Sequence, residues 1–272
     1  MDRNTSERVL LCIDNVAGYE VLKYLAGRPG VEVVAAIVHP EANATHLDEI
    51  VAFCAAVDVP VIEIRQARKH FDKLIAPLKP DFLVSIFFDY ILDDRFVSLP
   101  SRDAVNLHPG YLPYNKGFYY YAWAVLDGTP AGVSIHRIVS EVDAGPIISQ
   151  LHVRIDAADT GEIIYDKHMN ASIELFKASW PALKAGTYKV FRQRHGGTRK
   201  LIAETNKTLE IDPHASYTAR DLIDKLRVFS FSDGGGCVIQ IDGRKYSVGI
   251  ELVEIVDEVV RIPGKRDNCV VV

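Results

Sequence analysis

This sequence is short of the features that mark several large protein classes. Its four cysteines, Cys12, Cys54, Cys237 and Cys269, show no CxxC or other ligand-like spacing, which argues against a disulfide framework and against a zinc site. Positive charge is not in excess: 31 Lys and Arg stand against 36 Asp and Glu, a formal net charge of −5. Binding to nucleic acid through phosphate neutralisation is therefore not expected. No apolar run approaches the ~20 residues a membrane helix requires, and the apolar stretch in the N-terminal MDRNTSERVLLCID is too short for a secretory signal. A reducing cytoplasm is the expected setting. The sequons at Asn43, Asn170 and Asn206 then read as chance matches. Cys269-Val-Val-Val272 reads as an ordinary tail rather than a prenylation box, because no polybasic segment precedes it.

What is present is a globular composition, 48% hydrophobic and 25% charged over 272 residues, enough for one large unit and one small one. Apolar, β-branched runs at Val9–Ile13, Val31–Val38, Val59–Ile64, Phe82–Phe88 and Ala104–Leu107 alternate with helical spacing at Tyr19–Ala26, Thr45–Val57 and His70–Leu78. Thr45 is the expected cap of its helix. Strands separated by helices of this length predict βαβ units, and so an α/β fold with a mostly parallel sheet and helices on both faces. A helix over Phe118–Leu126, strands over Gly132–Val139 and Ile147–Ile155, and a long helix over Thr160–Leu183 follow. Gly186 and His195-Gly-Gly-Thr-Arg-Lys200 mark a change of regime. A catalytic unit over 1–195 and a small β-rich unit over 200–272 are expected. The second should hold a helix over Thr218–Leu226 and a hairpin of Cys237–Ile241 and Lys245–Ile255 turned by Asp242-Gly243.

The stretch NLHPGYLPYNKG, residues 106–117, carries the chemistry. On a strand, residues i and i+2 share a face about 6.6 Å apart, so Asn106 and His108 point together while Leu107 packs the other way. Pro109 ends the ladder at the carboxyl end of the strand, where open α/β sheets bind ligands. Ser140-Glu-Val-Asp-Ala-Gly-Pro146 is a turn between two strands that offers Asp143 to the same end. An amide to donate to an oxyanion, an imidazole to handle a proton and a carboxylate to hold the imidazole suit acyl transfer without a covalent nucleophile. Ser101, Ser134 and Ser140 lack the glycine pattern of a nucleophile elbow. His136, in a strand interior, reads as a satisfied core histidine. No metal is expected, because His and carboxylates never cluster at ligand spacing.

Asn106-Leu-His108-Pro-Gly-Tyr-Leu-Pro113 with Gly117, Gly128-Thr-Pro-Ala-Gly132-Val-Ser-Ile-His136 and Val142-Asp143-Ala-Gly-Pro-Ile147 together resemble the 10-formyltetrahydrofolate-dependent formyltransferases. The resemblance implies a Rossmann-like catalytic unit with its triad on Asn106, His108 and Asp143. It also implies a cosubstrate, 10-formyltetrahydrofolate, seated against the backbone of Phe87, Phe88, Asp89, Tyr90, Ile91 and Leu92 and of the loop holding Glu141 and Val142.

Within the family, Asp14-Asn-Val-Ala-Gly18 lacks the glycine-rich phosphate loop of glycinamide ribonucleotide transformylase. The section after residue 200 is too short and acidic for the tRNA-binding part of methionyl-tRNA formyltransferase. His108-Pro-Gly-Tyr-Leu-Pro-Tyr-Asn-Lys-Gly117 is most similar to the nucleotide-sugar N-formyltransferases, although Lys116 replaces their usual Arg and cannot form its bidentate fork. The expected substrate is a nucleotide-linked amino-dideoxyhexose destined for bacterial surface polysaccharide, with Lys116 and Tyr120 on the acceptor side and a homodimer as the assembly. A formyltetrahydrofolate hydrolase and a non-catalytic folate or nucleotide-sugar binding module are the alternatives. The hydrolase usually carries an N-terminal regulatory unit, and none is expected before the strand that begins at Val9.

Overall fold

The computed structural model describes residues 6–194 and 196–254. The Cys269-Val-Val-Val272 tail and Ile255, the expected end of the last strand, lie outside the described residues.

The chain begins β1 (Glu7–Ile13), α1 (Asn15–Ala26), β2 (Val31–Val38), α2 (Leu47–Ala56), β3 (Val61–Glu63). It continues α3 (Ile64–Lys69), α4 (Phe71–Leu74), β4 (Phe82–Ile86), α5 (Asp94–Val97), β5 (Asp103–His108), β6 (Lys116–Gly117), α6 (Tyr120–Leu126). Then come β7 (Gly132–Arg137), β8 (Ile147–His152) and the long α7 (Gly161–Ala185). The expected alternation is present, with α5 as an unexpected short turn of helix. One seven-stranded sheet has the order β3-β2-β1-β4-β5-β7-β8. The first five of these are parallel; β7 runs antiparallel to β5, and β8 antiparallel to β7. The strand order reverses beside β1, and the carboxyl ends of β4 and β5 open on that edge.

Both faces of the sheet are covered. On one, Val9, Leu11, Ile13, Val84 and Ile86 pack under α1 and α7, where Phe176 and Trp180 stack with ring centroids 5.8 Å apart. On the other, Leu10, Cys12, Ile37 and Leu83 pack against Ile64, Phe71 and Phe96. A strand buried on both faces reads as a continuous apolar run, as β1 does; full burial of one such Leu or Phe contributes roughly 1.5–3 kcal/mol. Helix α7 starts at Thr160, whose hydroxyl accepts from Ile163 N, and stops at Gly186 with a left-handed φ of 66°.

Thr45 does not cap α2. Its hydroxyl donates instead to Asp14 Oδ2 at 2.8 Å, and the helix starts two residues later, after His46. A buried carboxylate competes better for that hydroxyl than an exposed helix end does.

The C-terminal part holds β9 (Arg199–Lys200), α8 (Ile202–Leu209), β10 (Glu210–Ile211), α9 (Ala219–Val228), β11 (Cys237–Ile241) and β12 (Arg244–Val248). The small sheet β10-β11-β12 is there, with the hairpin turned at Asp242-Gly243, both at positive φ. The sequence did not announce α8, and β12 ends at Val248, earlier than expected. Val228, Phe229 and Cys237 pack with Tyr120, Tyr121 and Ile164, so this part shares a core with α6 and α7. Among the described residues no helix is long and apolar enough to cross a membrane.

Candidate active site

At the carboxyl ends of β4 and β5 lies a cavity of about 360 Å³. One wall is the strip Phe87, Phe88, Asp89, Tyr90, Ile91 and Leu92; the floor carries Asn106, His108, His136 and Asp143; Tyr119 and Tyr120 face it from the start of α6. Of the residues expected from the sequence, Val142 also lines the cavity, whereas Glu141 and Lys116 lie just outside the lining. Tyr120 is buried against Phe87 and His168, and its hydroxyl has no hydrogen-bond partner among the described residues.

The loop after β5 is built to press on His108. A Cβ on Gly110 would stand 2.5 Å from His108 Nε2 and 2.8 Å from the Asn115 carbonyl oxygen, so only glycine lets these two meet. Ser134, fully buried in β7, donates to Gly110 O at 2.7 Å and accepts from Leu112 N at 3.0 Å. Gln150 donates to the same hydroxyl at 2.9 Å and to Leu112 O at 2.8 Å. Ser134 is thereby occupied as a loop anchor. Asp143 sits at a left-handed φ of 55°. The turn lies so close to β7 that a Cβ on Gly145 would fall 1.8 Å from Arg137 O.

Backbone groups set the protonation pattern. His108 Nε2 lies 3.0 Å from Asn115 O, a group that only accepts, so Nε2 carries the hydrogen and Nδ1 keeps a lone pair when the ring is neutral. His136 Nδ1 lies 2.8 Å from Arg137 O and likewise donates. Its Nε2 then accepts from Asn106 Nδ2 at 3.2 Å, which leaves the second N–H of that amide for the cavity. Asp143 Oδ2 accepts from Gly117 N at 3.2 Å, while Oδ1 stands 3.6 Å from both His108 Nδ1 and His136 Nε2. With both rings neutral, the His108 Nδ1 lone pair and the Asp143 carboxylate oxygen face one another with no hydrogen between them, and the cluster is one proton short.

Burial works against charge on Asp143, yet the positive charge that the two imidazoles carry when protonated, with the Gly117 N–H, holds its carboxyl well below the usual carboxylate range. Burial lowers the His108 pKa; the Asp143 charge and the Asn115 carbonyl pull the other way and offset part of that shift. Asp89, on the apolar strip, has its carboxyl pushed up by burial. Nucleophilic sulfur is a poor fit. Burial pushes the thiol of Cys12 far up and those of Cys54 and Cys237 to about 11.

His136 is the site residue that sequence reasoning set aside. The signal was the antiparallel register of β5 and β7, which pairs Asn106 with His136; a strand-interior histidine gives no such sign on its own. Arg199, Lys200 and Leu201 also line the cavity, from a segment expected to be only a boundary.

A model of the formyl transferase family matches residues 29–178, and one of the N-formyltransferase dimerization C-terminal domain matches residues 204–254. A dTDP-4-amino-4,6-dideoxyglucose formyltransferase of Mycobacterium bovis is 29% identical over 149 residues, 54% of this chain and 64% of that protein. The match thus spans less than two thirds of that relative's length. A 4-N formyltransferase structure from Francisella tularensis shares the fold, with a TM-score of 0.79 at 20% identity over 92% of this chain and 99% of that one. A formyltransferase from Anoxybacillus kamchatkensis, solved with UDP-4,6-dideoxy-4-formamido-L-AltNAc and tetrahydrofolate, has a TM-score of 0.52 at 25% identity over 74% of this chain and 88% of that one. A family match over more than half of its length, on the segment that builds six of the seven strands of the large sheet and the cavity floor, means that this chain belongs to the formyl transferase family.

Proposed function

We propose that this protein transfers a formyl group from 10-formyltetrahydrofolate to the amine of a nucleotide-linked 4-amino-4,6-dideoxyhexose. The observation that carries the reading is the proton-short cluster of Asn106, His108, His136 and Asp143 at the floor of a cavity whose other wall is the 87–92 strip. The strip suits a flat heteroaromatic donor, with apolar side chains along one wall of the cavity. The names of the mycobacterial relative and of the Anoxybacillus complex support the sugar acceptor and the folate donor. From the first we take thymidine diphosphate as the nucleotide.

When bound, the donor supplies an electrophilic formyl carbon for the acceptor amine. The free N–H of Asn106 then donates to the oxygen as negative charge gathers there, with His136 holding the amide in that orientation. His108 Nδ1, the lone pair facing the cluster, takes the amine proton while Asp143 stabilises the imidazolium that results; the bond between the formyl carbon and the folate nitrogen then breaks, and the same proton passes to that nitrogen as tetrahydrofolate leaves. Holding amine and formyl side by side supplies ~7–11 kcal/mol of barrier lowering, so much of the task is placement. Lys116 and Tyr120 are proposed on the acceptor side, and Glu141 and Val142 beside the donor strip. We further propose a division into a catalytic unit, 1–195, and a C-terminal unit, 200–272, that pairs two copies, in a cytoplasmic enzyme of surface-polysaccharide synthesis.

The test is incubation of purified protein with 10-formyltetrahydrofolate and a panel of thymidine- and guanosine-linked amino sugars, following tetrahydrofolate release and mass gain on the sugar. A formyl gain on one sugar is expected. Formate release with no sugar product would overturn the reading in favour of a hydrolase, and no turnover would leave a binding role.

A further inference from the structure

The segment that leaves α7 crosses back over the site before it reaches the C-terminal part. Phe191 exchanges two backbone hydrogen bonds of 2.8 Å with Ile147, the residue after the Asp143 turn closes. Gln193 Nε2 donates to Asp143 O at 2.7 Å and to Gly145 O at 2.8 Å, and so grips that turn from outside. Further on, Thr198 Oγ1 accepts from Asn115 N at 2.8 Å and Thr198 O accepts from Lys116 N at 3.0 Å. The contact leaves no slack. A Cβ on Gly197 would stand 2.1 Å from Pro113 O, and one on Gly117 2.4 Å from Lys200 O.

We propose that this exit segment is a catalytic strap, in which Thr198 and Gln193 are positioning residues for His108 and Asp143. The inference rests on the reading of those two as the reacting groups. Asn115 is the coupling piece: its carbonyl receives the His108 Nε2 hydrogen and belongs to the peptide unit whose N–H, that of Lys116, is held by Thr198 O; its own N–H, in the preceding unit, is held by Thr198 Oγ1, and its side chain donates to Pro130 O at 3.2 Å and accepts from Thr129 Oγ1 at 3.0 Å. If the peptide at Asn115 turns away, Nε2 loses its acceptor. The hydrogen of the neutral ring then moves to Nδ1, where Asp143 accepts it, and the lone pair points into the loop instead of the cavity. A ring in that tautomer cannot take the amine proton. The strap thus does more than tether the small unit: it decides which nitrogen of His108 is the base.

The test reads the ring directly. With isotopically labelled imidazole nitrogens, the His108 signal, identified by its loss in His108→Asn, should show the Nε2–H tautomer in the wild type and in Thr198→Ser. In Thr198→Val it should shift toward Nδ1–H. In parallel, Thr198→Val should lower kcat by about 10- to 100-fold with little change in the donor KM, as supporting-shell losses do, while Thr198→Ser restores it. Gln193→Met, which leaves Asn115 alone, should keep the tautomer and still lower kcat. If Thr198→Val does not fold, Thr198→Ala is read the same way. A folded Thr198→Val or Thr198→Ala protein with wild-type nitrogen shifts and pH profile overturns the strap. A wild type that never releases tetrahydrofolate overturns the proposed activity instead, and the nitrogen shifts still decide the strap.

Discussion

Two buried Asp–His pairs stand on the same edge of the sheet, and they are wired oppositely. At the end of β1, Asp14 accepts from Thr45 N at 2.9 Å and Thr45 Oγ1 at 2.8 Å, and lies 3.5 Å from His39 Nδ1. The far nitrogen, His39 Nε2, accepts from Asp89 N at 3.1 Å. A backbone donor there forces the ring hydrogen onto Nδ1, toward Asp14, and every polar atom of the pair has a partner. At the end of β5 the far nitrogen of His108 meets a backbone acceptor, the Asn115 carbonyl, so the hydrogen is drawn away from Asp143 and a lone pair is left between them. The same two side chains point a ring hydrogen at the carboxylate in one place and a lone pair in the other. The difference is whether the backbone offers N–H or C=O behind the ring.

The largest effect should come from removing the reactive pair. His108→Asn or Asp143→Asn should lower kcat by roughly 10²–10⁴, the usual weight of a positioned acid–base group, while the melting temperature moves little. Near-wild-type turnover in both would remove the contrast between the two pairs.

The pH profile sharpens it next. Below its pKa the His108 ring is already protonated and cannot accept the amine proton, so kcat should fall as the pH drops. Because burial lowers that pKa, the acid limb should lie below the ordinary histidine value of about 6.5. A limb above that value would mean that the Asp143 charge outweighs burial.

Damage to the structural pair should be read in stability and donor binding instead of in the chemical step. His39→Leu leaves the Asp89 N–H and the Asp14 carboxylate short of a partner, and should cost roughly 1–3 kcal/mol in a denaturation experiment. Its ring also packs on Phe88 and Tyr90, at centroid distances of 4.8 and 5.3 Å, so the donor KM should rise while kcat stays. A kcat loss as large as that of His108→Asn would make His39 part of the chemistry. Thr45→Val, which takes one of the two Thr45 bonds from Asp14, should have the smallest effect, about 1 kcal/mol of stability. Hydrogen exchange at the start of α2 would locate it.

The sheet and the placing of Asn106 and His108 together at the cavity were legible for a simple reason. A parallel strand buried on both faces must be apolar throughout, and a two-residue period puts Asn106 and His108 on one side at a strand end. Asp143 was legible as the polar member of a turn facing the same edge. His136 was not, because its role comes from an antiparallel pairing with Asn106 that local sequence does not encode. Thr45 misled for a related reason: a hydroxyl ahead of a helix reads as a cap until a buried carboxylate from another strand claims it.

By itself, then, the chain's order of residues determined the elements, the apolar layers and the identity of the amide, imidazole and carboxylate, since all of these follow from local spacing and burial. Tertiary structure alone decided which histidine turns a lone pair toward its aspartate and which a hydrogen, and brought Gln193 and Thr198, from what had read as a boundary, against the Asp143 turn and Asn115. Those outcomes depend on which backbone group arrives behind a ring from far along the chain, and hydrogen-bond direction at such a contact is a property of the folded geometry.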